Sequence, residues 1–275
     1  MTAFIGAKAA AHPGPLTEPD RSLLAQAGAV PGRFQDDGWG LAWFGRDGRP
    51  RLARSVRPAR LQGREFRRAA AKASSRVVLA HLRDASNPKK VKKSLLISRE
   101  NTQPFTAAGF AFCHNGTLFI KDEIRSVLGR HAAGLKGTND SEVLFRQVLK
   151  MLDIYGSPAK ALEMALDEIR TVWVSCRDRY PGLEGPYRGL NVFLASRDSL
   201  TVLCHGDSKK TALMTPGWNF GTIAWKASPS GAVFSSEPLD SGKGWKKMKD
   251  LQIAEASVSG GRVQVKLSEI DGGTL

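Results

Sequence analysis

Four polar positions in this sequence are of types, and in places, suited to one chemistry. Arg83 follows the apolar run Val77-Val78-Leu79-Ala80-His81-Leu82, Asn115 and Gly116 stand in Phe110-Ala111-Phe112-Cys113-His114-Asn115-Gly116-Thr117-Leu118, and Asp140 opens an amphipathic pattern in Gly137-Thr138-Asn139-Asp140-Ser141-Glu142. A guanidinium grips a carboxylate through two parallel hydrogen bonds and a carboxylate pairs with an ammonium, so Arg83 and Asp140 together would recognise the two charged ends of an α-amino acid. An amide side chain beside an unshielded glycine N–H would stabilise negative charge developing on a carbonyl oxygen. Taken singly, each group has a plainer meaning: a strand-end ion pair, an Asn-Gly turn and a helix cap.

The elements that must carry these groups can be read from periodicity and turn residues. Strands are expected at Thr2 to Lys8 and at Gly38 to Phe44, the latter turning at Arg46-Asp47-Gly48-Arg49 into Arg51 to Val56. A helix over Gly63 to Ser74 precedes a buried strand over Arg76 to Arg83. After the strand that ends in His114-Asn115-Gly116 come helices at Lys121 to Leu128, Asp140 to Tyr155 and Ser157 to Arg177. In the second of these, Val143, Leu144, Val148 and Leu152 share a stripe, and Asp140 or Ser141 takes the N-cap. Strands return at Asn191 to Ser196, Leu200 to Gly206, Gly231 to Ser235, Ala254 to Ser257 and Arg262 to Val265. Strands, then helices, then strands imply an α+β arrangement with facing sheets and helices outside, in one domain over residues 1–275.

Composition sets the outer bounds. A chain of 275 residues with 41% hydrophobic and 24% charged residues can bury a substantial core. No apolar run approaches the roughly 20 residues of a membrane span, and the N-terminal segment is too weakly apolar for a secretory signal, so a cytoplasmic protein without membrane contact is expected. Cys113, Cys176 and Cys204 are odd in number and lack metal-site spacing. They are expected to be buried hydrophobes, with no disulfide, metal or cofactor. The net charge of +15 comes from arginines spread over Arg46 to Arg68 and from clusters at Lys89, Lys90, Lys92, Lys93 and at Lys243, Lys246, Lys247, Lys249. Without a zinc-finger or RNP-type pattern, solvated faces are favoured over nucleic-acid binding.

Several motifs, in order, then give a resemblance. Val77-Val78-Leu79-Ala80-His81-Leu82-Arg83-Asp84-Ala85-Ser86, Glu100-Asn101-Thr102-Gln103-Pro104-Phe105, His114-Asn115-Gly116-Thr117-Leu118 and Gly137 to Phe145 resemble the motifs of the class II glutamine amidotransferases. Asp37-Gly38-Trp39-Gly40-Leu41-Ala42-Trp43-Phe44 and Phe234-Ser235-Ser236-Glu237-Pro238-Leu239 are similar to its stand-alone branch. The resemblance implies an N-terminal-nucleophile hydrolase fold, a four-layer αββα sandwich of two mostly antiparallel sheets. It also implies hydrolysis of glutamine's side-chain amide through an acyl-enzyme. Arg83 would hold the substrate carboxylate, Asp140 its ammonium group and Asn115 with Gly116 the oxyanion, while Ser86 would line the same pocket. The sequence leaves two alternatives for the ammonia: an accepting synthase partner, or a γ-glutamyl amide hydrolase with no acceptor at all.

Two positions depart from the family pattern. Gln103 stands where the family usually has histidine in Asn-x-His-Pro, and Thr2 follows Met1 where the family has cysteine. Threonine is small enough to permit removal of Met1, and an N-terminal threonine with its own amine is a recognised nucleophile. Two expectations follow: an amidohydrolase acting on glutamine or a γ-glutamyl compound through Thr2, or a catalytically inactive relative that binds an amino-acid-like ligand or a partner protein.

Overall fold

Along β1 (Thr2–Ala10) successive side chains enter different cores, because a strand alternates faces. Ala3 and Ile5 join Met1 in one cluster, whereas Phe4 joins another with Leu41, Phe66 and Val78. The computed structural model describes residues 1–18, 20–88, 90–206 and 211–270. Lys89, part of one lysine cluster, lies outside the described residues.

The first sheet has the order β11 (Lys246–Lys247), β9 (Ala224–Ser228), β10 (Gly231–Ser235), β1, β4 (Ser75–Leu82), β2 (Trp39–Phe44) and β3 (Pro50–Ser55). The second runs β13 (Arg262–Glu269), β12 (Gln252–Ser259), β8 (Ser199–Cys204), β7 (Tyr187–Ala195), β6 (Phe110–Leu118) and β5 (Phe105–Ala107). All the pairings among these strands are antiparallel. Ala3, Ile5, Leu79, Cys113, Phe193 and Phe234 fill the space between the sheets. The outer face of the first sheet packs on α1 (Pro13–Thr17), α2 (Leu23–Gln26) and α3 (Gly63–Lys72), and that of the second on α4 (Lys121–Ser126), α5 (Asp140–Tyr155) and α6 (Pro158–Cys176). This is the αββα sandwich expected from the sequence. Among the described residues, no helix is long and apolar enough to cross a membrane.

Two local expectations need correction. The strand through Asn115-Gly116 does not end there. It continues to Leu118 across a register shift between Gly116 and Thr117, where Gly116 comes so close to Gly189 that a Cβ would collide with the Gly189 carbonyl. The α5 N-cap is neither Asp140 nor Ser141 but Asn139, whose Oδ1 accepts the Ser141 N–H at 2.7 Å. Asp140 is thereby the first helical residue, with a side chain free to face β6.

Candidate active site

Antiparallel register gathers the chemistry at one end of the sandwich. Thr2 pairs with Ala80 on one side and Ser235 on the other, so the start of β1 lies beside the exits of β4 and β10. Arg83 follows β4, and Ser236 and Glu237 follow β10. A small recess of about 40 Å³ opens at this end, and Met1, Asn115, Leu213, Phe220, Ser236 and Glu237 are among its walls. Glu237 is buried, and its carboxylate accepts the N–H groups of Leu213, Met214 and Thr215 at 3.0 to 3.2 Å. The segment carrying Leu213 is therefore tied down over the recess.

Met1 stands between this recess and Thr2. The Met1 amine donates to Ser236 Oγ at 3.1 Å, and burial pushes its pKa from 8.0 down to about 6. Thr2 has no solvent exposure, and its hydroxyl lies 2.8 Å from the Ser235 hydroxyl. While Met1 remains, Thr2 is closed off from solvent. The cysteines offer no substitute: all three are buried, and burial raises the thiol pKa of Cys113 and Cys204.

Arg83 is buried at 5% exposure, with Nη2 donating to Leu96 O at 3.0 Å and Nη1 lacking a protein partner. Burial lowers its pKa, opposed by the nearby carboxylates of Asp37 and Asp140. A buried guanidinium with an open donor suits an incoming carboxylate. Asp140 is half-buried, and its Oδ2 accepts the Leu118 N–H at 2.7 Å. Ser86 accepts the Thr117 hydroxyl at 2.8 Å. Arg83, Ser86 and Asp140 are not among the walls of the recess that holds Met1 and Asn115; Ser86 and Asp140 are hydrogen-bonded to β6 at Thr117 and Leu118, and Arg83 to the Leu96 carbonyl.

Behind Asn115 lies a buried polar layer. His114 Nδ1 meets Ser141 Oγ at 2.9 Å, and the Gln103 side chain bonds both main-chain groups of His114. Burial lowers the pKa of His114 against the pull of Asp140, and it drives His81 well below the ordinary imidazole range, with the N-terminal amine and Arg83 adding to the effect. Both rings are neutral near pH 7. His81, Asp37 and Glu237 were not singled out as site residues from the sequence, although each lies within a quoted motif. Asp37 accepts the Ala85 N–H at 2.8 Å and pairs with Lys93 at 2.6 Å, fixing the turn after Arg83. Among the described residues, no group of three or more His, Cys, Asp or Glu side chains is placed to hold a metal ion.

Comparison with known proteins gives the family and the fold of the chain. A family model described as class-II glutamine amidotransferases matches residues 22–178. No curated protein matches the chain. Among solved structures, a glutamine aminotransferase class-II domain protein from Silicibacter pomeroyi is similar at TM-score 0.64 and 20% identity, covering 98% of each chain. Glutamine phosphoribosylpyrophosphate amidotransferase from B. subtilis is similar at TM-score 0.57 and 14% identity over 97% of this chain and 49% of that one. An allosteric regulatory enzyme of purine biosynthesis gives TM-score 0.61 and 12% identity over 97% and 48%. This chain thus spans about half the length of these last two enzymes.

Proposed function

Because this chain belongs to the class II glutamine amidotransferases, we propose that removal of Met1 converts it into an amidohydrolase that uses Thr2 to cleave the side-chain amide of glutamine or of a γ-glutamyl compound. One observation carries this reading: Met1 forms part of the recess wall that includes Asn115, while the buried Thr2 is the next residue inward. Losing Met1 would open Thr2 to the recess and create a free amine beside its hydroxyl.

The chemistry would then run in two halves. The Thr2 amine takes the hydroxyl proton as Oγ1 attacks the amide carbon. Charge on the tetrahedral oxygen is met by the Asn115 side chain and the Gly116 N–H. The intermediate collapses to an ester, and the leaving nitrogen departs with the proton held by the amine, as ammonia from glutamine or as the free amine from a substituted γ-glutamyl amide. Water, deprotonated by the same amine, then cleaves the ester to release glutamate and restore Thr2. Arg83 and Asp140 bind the α-carboxylate and α-ammonium of the substrate, with Ser86 beside them. The ammonia passes to water or to an accepting synthase partner.

A second reading applies to a chain that keeps Met1. The sealed Thr2 and its bond to Ser235 leave no reachable nucleophile, so that form would bind an amino-acid-like ligand without turning it over. Incubation of Met1-free and Met1-retaining protein with glutamine and with a γ-glutamyl alkylamide separates the readings. The first predicts glutamate release from the Met1-free form alone; the second predicts that the protein as isolated retains Met1, binds the ligand by calorimetry and releases no glutamate.

A further inference from the structure

The register of β5 and β6 exposes a substitution of side chain for main chain. Phe105 pairs with Phe112 and Ala107 with Phe110, so a continued ladder would set Gln103 opposite His114. Pro104 has no N–H, and the paired strand stops at Phe105. Instead the Gln103 side chain supplies the missing pair. Its Oε1 accepts the His114 N–H at 2.6 Å and its Nε2 donates to the His114 carbonyl at 2.9 Å. A carboxamide has the same one-acceptor, donor-bearing chemistry as a peptide unit, so it can complete the ladder as a backbone would. Nε2 also reaches Ser141 Oγ at 3.4 Å, and that hydroxyl meets the His114 ring. Gln103, His114 and Ser141 are each at most 5% exposed. The clamped residue is the one immediately before Asn115.

Two residues earlier, Asn101 braces a different pair of segments. Its Oδ1 accepts the Thr138 N–H at 2.8 Å, and its carbonyl accepts Asn139 Nδ2 at 3.0 Å. Asn139 caps α5 directly ahead of Asp140. Asn101 Nδ2 donates to Leu96 O at 3.2 Å, the same oxygen that takes Arg83 Nη2. The Arg83 and Asp140 segments are therefore joined through one side chain.

We propose that Gln103 and Asn101 are separate positioning residues, Gln103 setting the oxyanion donors and Asn101 setting the distance between the carboxylate and ammonium contacts. The proposal rests on the amidohydrolase reading for its kinetic consequences. Gln103 then governs kcat and Asn101 governs KM, although only Thr102 lies between them.

The test uses Gln103→Met, which keeps size and removes both hydrogen-bonding groups, and Asn101→Ala, with Gln103→Glu and Asn101→Asp as milder variants should either fail to fold. On the Met1-free protein, Gln103→Met should lower kcat about tenfold or more with KM within about threefold, and Asn101→Ala should raise KM about tenfold with kcat within about threefold. Hydrogen exchange reads the two braces independently of turnover. Residues 110–118 should exchange faster in Gln103→Met alone, and residues 136–142 faster in Asn101→Ala alone. Equal effects of both variants on kcat and KM, or unchanged exchange of 110–118 in Gln103→Met, would overturn the proposal. A wild-type protein that releases no glutamate would instead defeat the amidohydrolase reading, and the exchange pattern would still decide whether the braces are separate.

Discussion

The hydroxyls of Thr2 and Ser235 lie 2.8 Å apart on adjacent strands, and neither residue has any solvent exposure. In the Met1-retaining chain this contact satisfies a polar group that would otherwise be buried alone. Ser235→Ala should therefore destabilise that form by about 1 to 2 kcal/mol, read as a lower urea midpoint at unchanged slope. An unchanged midpoint would mean that the Thr2 hydroxyl finds another partner.

The buried Met1 amine makes stability depend on pH. Its pKa falls from 8.0 to about 6 on folding, so between those values the unfolded chain binds more protons than the folded one. Stability contributed by the neutral amine is full above pH 8, declines as pH falls towards 6 and levels off below it. The expected loss between pH 8 and pH 6 is roughly 2 kcal/mol, because each end of that interval lies at one of the two pKa values. Neutral His81 and His114 add to the loss below about pH 6.5, the ordinary imidazole value. Urea unfolding of the Met1-retaining protein at pH 6 and pH 8 checks this; equal stability at both would contradict a buried neutral amine.

Arg83 and Asp140 should control affinity. Arg83→Ala removes the open Nη1 donor, and Asp140→Ala removes the carboxylate proposed for the ammonium group. Each should weaken binding of glutamine or a γ-glutamyl ligand by roughly 2 to 4 kcal/mol in calorimetry, because a desolvated ligand charge loses its partner. Undiminished binding in Arg83→Ala would remove the carboxylate assignment.

Asn115 and Gly116 should behave differently. Asn115→Ala removes a donor used only as charge develops, so kcat should fall about 100-fold or more with KM little changed. Gly116→Ala should cost folding itself, because the new Cβ would meet the Gly189 carbonyl and lie 2.6 Å from His114 Nε2. A well-folded Gly116→Ala protein, judged by its thermal transition, would contradict the close approach of β6 and β7.

The sequence carried the elements whose signal is local. The α5 pattern over Asp140 to Tyr155 is bounded by an Asx cap and a glycine at positive φ, and it matches the structure residue for residue. Short strands escaped, because β5, β9 and β11 are defined by register with distant partners rather than by their own alternation. The Asn-Gly pair misled for a related reason: its turn-like composition serves a bulge inside β6, which only the closeness of Gly189 explains. Gln103 was visible as a departure from histidine. Its clamp on His114 required the three-dimensional register to be seen.

The central claim is that Thr2 becomes the nucleophile once Met1 is gone, and one comparison tests it most directly. Glutamate release is measured on wild type, Thr2→Ala and Thr2→Cys, each with its N-terminus confirmed by intact mass. The account predicts release by wild type lacking Met1, none by Thr2→Ala, and equal or faster release by Thr2→Cys, whose thiolate is the stronger nucleophile. Equal release by wild type and Thr2→Ala would contradict it.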